Sequence, residues 1–333
     1  MARRYSLPAL IVLAVLAGCS TLAGGSGGSA RPAPVQSPPA TTASPPVRAT
    51  VDGLFGEHPL FGVAVPQSDD AALDRIKQAT MCRPVLVEVF VSVVDSMANN
   101  TLERLPVTPV LTLEPWLPGR GEVQPEVDLE TTLGGALDDK YRAIARQIAG
   151  YRRPVLVRLA HEMNGHWYPW AMVGKNTPAQ YVEMWKHVVS LFQQEGATNV
   201  LWVWSPNIPR GTDNLPLRSF YPGDEWVDIV GLTGYGVREK TPDDTLGAAL
   251  RQIHNFTQKR ILLSETGAAP DVYKTQWVAA FGRWLVRNPS VAGFIWFEKM
   301  PGSGAKADWR FDDTPARLAA FQTSLQEGKV SCT

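Results

Sequence analysis

Three stretches of this chain carry side chains suited to acid–base work on a polar substrate: His161-Glu162-Met163-Asn164-Gly165, Tyr235, and Glu265-Thr266-Gly267. Hydrolysis of a glycosidic bond with retention requires two carboxyls about 5–5.5 Å apart, one protonated to help the leaving group depart and one ionised to attack. Glu162 and Glu265 are the candidates. A carboxyl buried near a second negative charge has its pKa raised, whereas one beside a cation stays ionised. Arg158 shares strand parity with Glu162, so both point to one side if the strand continues that far. It is the candidate cation for Glu265, which leaves Glu162 as the acid. A plainer reading stays open, in which these glutamates cap loops or pair with arginines. A zinc site built on His161-Glu162 is disfavoured, because His166 follows His161 by five residues where the H-E-x-x-H helix motif requires four. No metal or cofactor is expected.

Such a pair must be held by strands, and eight apolar runs qualify: 60–65, 84–90, 108–113, 154–160, 199–204, 226–232, 260–264 and 293–297. Their near-continuous Val/Ile/Leu content fits parallel strands buried on both faces. Between them the period turns helical, most clearly where Tyr181, Met184, Trp185, Val188, Val189 and Phe192 fall on one stripe. Further helices are expected near 70–79, 136–150, 245–258, 272–287 and 314–326. The alternation predicts an α/β fold, a single-domain (β/α)8 TIM barrel in preference to an open doubly wound sheet. In that fold the chemistry gathers at the C-terminal ends of the strands, where Glu114-Pro115-Trp116, Trp204-Ser205-Pro206-Asn207 and Trp296-Phe297-Glu298 also lie. No G-x-G-x-x-G follows the first strand, against dinucleotide binding.

Lys+Arg and Asp+Glu are equal at 32 each. Nothing in that balance favours nucleic acid, which calls for a basic excess. The expected partner is an uncharged polysaccharide, and 11 tryptophans supply flat faces that suit either sugars or an ordinary core. The chain is expected to act as a monomer.

The stretches VRLAHEMNGHWYPW (157–170), YPGDEWVDIVGLTGY (221–235), LLSETG (262–267) and GFIWF (293–297) together resemble glycoside hydrolase family 26. The resemblance covers about residues 60 to 325. It implies a retaining (β/α)8 enzyme with a glutamate at the end of strands four and seven: Glu162 as acid/base, Glu265 as nucleophile. It further implies that His161 lines the −1 subsite, that Tyr235 orients the nucleophile, that Trp296 floors the −1 sugar and that Trp167 stands close to the acid. Arg158 is counted with these substrate-site residues. The implied activity is endo-cleavage of a β-linked polysaccharide, β-1,4-mannan first, with mixed-linkage β-glucan or xylan as alternatives. A carbohydrate-binding lipoprotein without turnover is the reading from another class.

Arg3 and Arg4 precede an apolar run, Leu7 to Leu16, that closes on Leu16-Ala17-Gly18-Cys19. This resembles a bacterial lipoprotein signal, with a positive n-region, a short apolar h-region and small residues at the cut. The expectation is a signal peptide over 1–18, lipidation of Cys19, a Gly/Ser/Pro-rich linker over 19–58 and the barrel over 59–333, the whole held outside the cytoplasm on the cell membrane. In an exported chain the two remaining cysteines suggest a bridge. Cys82 precedes strand two and Cys332 follows the last helix, so a Cys82–Cys332 disulfide is expected at the closed end of the barrel.

Overall fold

A computed structural model describes residues 49–209 and 215–332. The expected signal peptide, Cys19 and the linker up to residue 48 lie outside the described residues. Eight strands, β1 (Leu60–Ala64), β2 (Leu86–Ser92), β3 (Thr108–Glu114), β4 (Val155–Leu159), β5 (Val200–Trp204), β6 (Ile229–Gly236), β7 (Ile261–Ala268) and β8 (Val291–Phe297), close into one parallel barrel in sequence order. The closing pair, β1 with β8, runs in register from Leu60 opposite Gly293 to Ala64 opposite Phe297.

Around the barrel run α1 (Val51–Leu54), α2 (Asp70–Thr80), α3 (Leu129–Leu133), α4 (Asp138–Tyr151), α5 (Pro178–Gln194), α6 (Pro242–His254), α7 (Lys274–Arg287) and α8 (Pro315–Glu327). Several starts are written locally. Thr177 and Gln180 form a capping box ahead of Pro178, and Thr241 and Asp244 do the same ahead of Pro242, satisfying amides the first turn leaves free. The predicted stripe on α5 is buried, packing against the outer face of the strands.

Alternation along each strand divides the core. Leu60, Leu86, Val110, Leu156, Leu201, Ile229, Leu262 and Ile295 fill the barrel interior, while their neighbours, such as Phe61, Val87, Val157 and Phe294, face the helices. Three expectations need correction. The linker does not extend to residue 58: Thr50 caps α1, Phe55 is 2% exposed and joins the interior layer from below. Arg260 donates to the carbonyls of Phe55 and Gly56 at 2.7 and 2.6 Å, and Val51 and Leu54 pack beside Phe55 against the same layer, so the segment docks through its apolar residues as well as its backbone. Strand six runs from 229 to 236 rather than 226 to 232, placing Tyr235 inside it. At Gly231 the sheet needs the missing side chain, since a Cβ there would lie 2.6 Å from Ser205 Cβ and 2.9 Å from Ser264 Oγ. Strand four stops at Leu159, and the parity argument linking Arg158 to Glu162 lapses there.

The disulfide is present. Cys82 and Cys332 are bonded with Cα atoms 5.0 Å apart across 250 residues of sequence. Ser331 donates its amide to the Pro59 carbonyl at 2.8 Å and bridges to Leu60, so the tail returns to the start of β1, as expected for the closed end.

Candidate active site

Arg158, from the inner face of β4, is the centre around which the mouth is built. It is fully buried, and its guanidinium donates to Glu88 Oε1 at 3.0 Å, Glu265 Oε2 at 2.9 Å, Ser205 Oγ at 3.0 Å and Thr233 Oγ1 at 2.6 Å. Strands 2, 6 and 7, and the residue just past strand 5, are thus tied to strand 4 by one side chain whose planar fork can serve several acceptors. Arg158 touches no solvent and can reach a ligand in the mouth only through side chains it bonds, such as Glu265. That corrects its place among the substrate-contacting residues.

Glu265 is gripped on both oxygens. Oε2 takes the bond from Arg158, and Oε1 takes one from the phenol of Tyr235, the orienting contact the resemblance implied. A carboxylate held by a guanidinium and a phenol is fixed in direction and has its charge supported, the condition an attacking group needs.

Glu162 reaches the same mouth by a different backbone route. After β4 the chain adopts left-handed φ at Ala160 (+42°) and at Glu162 itself (+55°), each costing on the order of 1 kcal/mol or more for a residue with a side chain. The turn is pinned by neighbouring strands, Ala160 N bonding Leu113 O at 2.9 Å and Glu162 N bonding Ser205 O at 2.7 Å. Burial, then the negative charge of Glu265, push the Glu162 carboxyl up to about 7, against the lowering influence of Arg158 and of hydrogen bonds from Trp167 and Asn207. Trp167 Nε1 donates to Glu162 Oε2 at 2.7 Å. One carboxyl can thus keep a proton near neutrality while the other is braced by a cation.

Two predicted residues stand elsewhere. Trp296 is fully buried on the outer face of β8, packed on Trp277, Phe281, Phe311 and Phe321, because alternation turns Ile295 and Phe297 inward. Its Nε1 donates to the carbonyl of Trp309 at 2.9 Å, and it is half-buried Trp309 that faces the site, 4.5 Å from the Tyr235 ring. Trp296 supports that loop from behind. His161 is 1% exposed, enclosed by Phe90, Tyr168 and Trp170. It contacts Tyr168 Oη at 3.1 Å, and burial lowers its pKa well below the usual imidazole value. It sits beneath the surface of the cleft and holds Tyr168 rather than presenting an open face.

The sequence pattern does not mark Glu88 and Glu114 as working carboxyls, yet both approach the site. Burial raises each to about 7, offset at Glu88 by Arg158 and at Glu114 by the Trp116 hydrogen bond. The signal for Glu88 was a lone charge inside LVEVFVS at inward parity. Trp309 carried none, since it follows a loop of no regular pattern. Trp116, half-buried, meets Tyr168 edge-on at 5.2 Å, whereas Trp170 and Trp204 are core. Exposed His166 packs edge-on to Trp167 at 5.3 Å. Among the described residues no group of three or more His, Cys, Asp or Glu is arranged to hold a metal.

Residues 126–280 match the family model described as Glycosyl hydrolase family 26. Endoglucanase H of Acetivibrio thermocellus is 26% identical over 236 residues, 67% of this chain and 25% of that protein. A mannan endo-1,4-beta-mannosidase of Bifidobacterium adolescentis is 25% identical over 203 residues, 54% of this chain and 20% of its own length. One from Bacillus subtilis is 38% identical over 87 residues, 24% of this chain and 23% of that one. The chain thus spans about a quarter of the length of these relatives. In fold it is similar to a Cellulomonas fimi endo-beta-1,4-mannanase double mutant, with a TM-score of 0.66 at 20% identity, covering 84% of this chain and 73% of that one.

Proposed function

We propose that this chain is a member of glycoside hydrolase family 26, whose model its residues 126–280 match, and that it cleaves a β-linked polysaccharide internally and with retention of configuration, β-1,4-mannan before other glycans. The observation that carries the reading is the contrast between its two carboxyls: Glu162 raised to about 7 and bonded to Trp167, Glu265 clamped between Arg158 and Tyr235. In this reading Glu162 gives its proton to the glycosidic oxygen while Glu265 attacks the anomeric carbon, forming a glycosyl-enzyme ester and releasing the aglycone. Glu162, now ionised, takes a proton from water, which opens the ester and restores both groups. Tyr235 and Trp167 position the two carboxylates, and Trp116, Tyr168 and Trp309 offer aromatic faces to the sugars. The test is the anomeric configuration of the first product by proton NMR. The β-anomer supports the proposal, and the α-anomer refutes retention.

A mixed-linkage β-glucanase is the second reading, favoured by the long span shared with Endoglucanase H. Hydrolysis of soluble mannan, mixed-linkage glucan and xylan, with the Glu265→Ala protein as control, separates the two and also excludes or reveals a binding protein without turnover. Residues 1–19 support the further reading that the protein is exported and lipid-anchored to the membrane through Cys19. Unchanged detergent partitioning of Cys19→Ser would refute it.

A further inference from the structure

Lys299, two residues past β8, takes no part in the steps above. Its ammonium lies 4.7 Å from the centroid of the Phe90 ring and 5.2 Å from that of Phe297. Both rings face inward near the mouth and touch the site, Phe90 edge-on to His161 at 6.2 Å and Phe297 edge-on to Tyr235 at 6.1 Å. These two rings place the ammonium beside the mouth, and its charge lowers the pKa of the buried Glu88 carboxyl. It is half-buried, and among the described residues it forms no ion pair and donates no hydrogen bond.

Its position is also held. The Lys299 carbonyl accepts from Trp309 N at 2.9 Å, so Lys299 belongs to the loop that brings Trp309 to Tyr235. Gly304, at φ +91°, passes it closely, and a Cβ there would sit 3.9 Å from both Lys299 Cδ and Nζ. An ammonium carries three donors and is strongly hydrated. Held over two aromatic rings with those donors unspent, it is arranged to exchange water for oxygen acceptors of a ligand.

The barrel order says which part of the ligand. Strands β4 and β8 are diametrically opposed in a closed ring of eight, so the loop that carries Lys299 rises on the side of the ring opposite the turn that carries Glu162. The leaving group departs on the side of the acid, and the sugars retained on Glu265 lie on the other. We propose that Lys299 is a substrate-binding residue that donates from its ammonium to hydroxyl oxygens of the glycone, the part of the glycan kept on the enzyme after the first step. This rests on the hydrolase reading above.

The experiment compares the wild-type chain, Lys299→Met and Lys299→Arg on aryl β-oligosaccharides of the sugar that the wild type cleaves, with one good and one poor leaving group. Lys299→Met should lower kcat/KM about tenfold or more, by the same factor for both leaving groups, because a glycone contact is blind to the aglycone. Lys299→Arg keeps the cation over the rings and should lose less, which guards against a general folding defect. A loss under about twofold in Lys299→Met, a loss that changes with the leaving group, or equal losses in the two variants would overturn the proposal. Calorimetric titration of manno-, mixed-linkage gluco- and xylo-oligosaccharides into Glu265→Ala, with and without Lys299→Met, separates this claim from its premise. If the wild type cleaves no β-glycan but Lys299→Met still weakens binding about tenfold, the hydrolase reading falls and the lysine contact stands. If cleavage and binding both ignore Lys299→Met, the lysine contact falls alone.

Discussion

At the scale of single residues, the roles proposed for Glu162 and Glu265 rest on the difference between their immediate surroundings. Glu162 must hold a proton to act as acid, and its carboxyl is raised to about 7 by burial and by Glu265. The rate constant kcat/KM should therefore fall as pH rises through about 7. The Trp167 indole N–H pulls in the opposite direction by bonding the ionised form, so Trp167→Phe should carry that alkaline limb to higher pH. A shift to lower pH, read from a pH–rate profile, would contradict the assignment. Truncation gives a second separation. Glu265→Ala should cost about 10³-fold or more on any substrate, roughly 4 kcal/mol of barrier, whereas Glu162→Ala should be partly spared when the leaving group needs little protonation. Equal losses on activated and natural substrates would count against these roles. Arg158 answers to a different measurement. Replacing it with Met leaves Glu88 and Glu265 buried without a counter-charge, and breaking such a buried pair costs about 3–5 kcal/mol, so the denaturant midpoint should drop sharply along with activity.

At the scale of elements, the pattern of alternating apolar strands and helical stripes was enough to locate all eight strands, because parallel barrel strands are buried on both faces and leave a plain hydrophobic run. What it could not resolve was which way individual side chains turn where the ladder breaks. Trp296 reads like a cleft residue by its position near a strand end, yet one step of alternation sends it outward. Glu162 reads like an inward strand residue, yet it arrives by two left-handed turns that no propensity forecasts. The Arg158–Glu265 pairing was foreseeable from charge, while Trp309 was not, since a loop has no period to betray it. Helix packing offers its own test. Gly282 of α7 lies against α8 so closely that a Cβ would fall 2.1 Å from the Ser324 carbonyl oxygen. Gly282→Ala should push the two helices apart and cost roughly 1–3 kcal/mol, seen as a lower thermal midpoint. An unchanged midpoint would show that this contact is soft.

At the scale of the whole molecule, the Cys82–Cys332 bridge closes a loop of nearly the entire barrel. Its stabilisation acts mainly by restricting the unfolded chain, about 2–4 kcal/mol. Reduction, or Cys332→Ser, should lower the unfolding midpoint while leaving kcat and KM unchanged, because the bridge lies at the end of the barrel away from Glu162 and Glu265. Intact-mass analysis of the unreduced protein should find neither thiol open to alkylation.

Both ends of the folded body leave from that same end. Ala49 N bonds the Thr198 carbonyl just before β5, and Ser331 pairs with the start of β1. A load applied through either terminus is therefore borne by the covalent staple, Phe55 and the Arg260 contacts, and does not pass through the cleft. A fusion partner, a surface or a bead can therefore be attached ahead of residue 49 or after residue 332, which leaves the Cys82–Cys332 bridge intact and the mouth that holds Glu162 and Glu265 directed away from it. Hydrolysis by chains immobilised through either terminus should match that in solution.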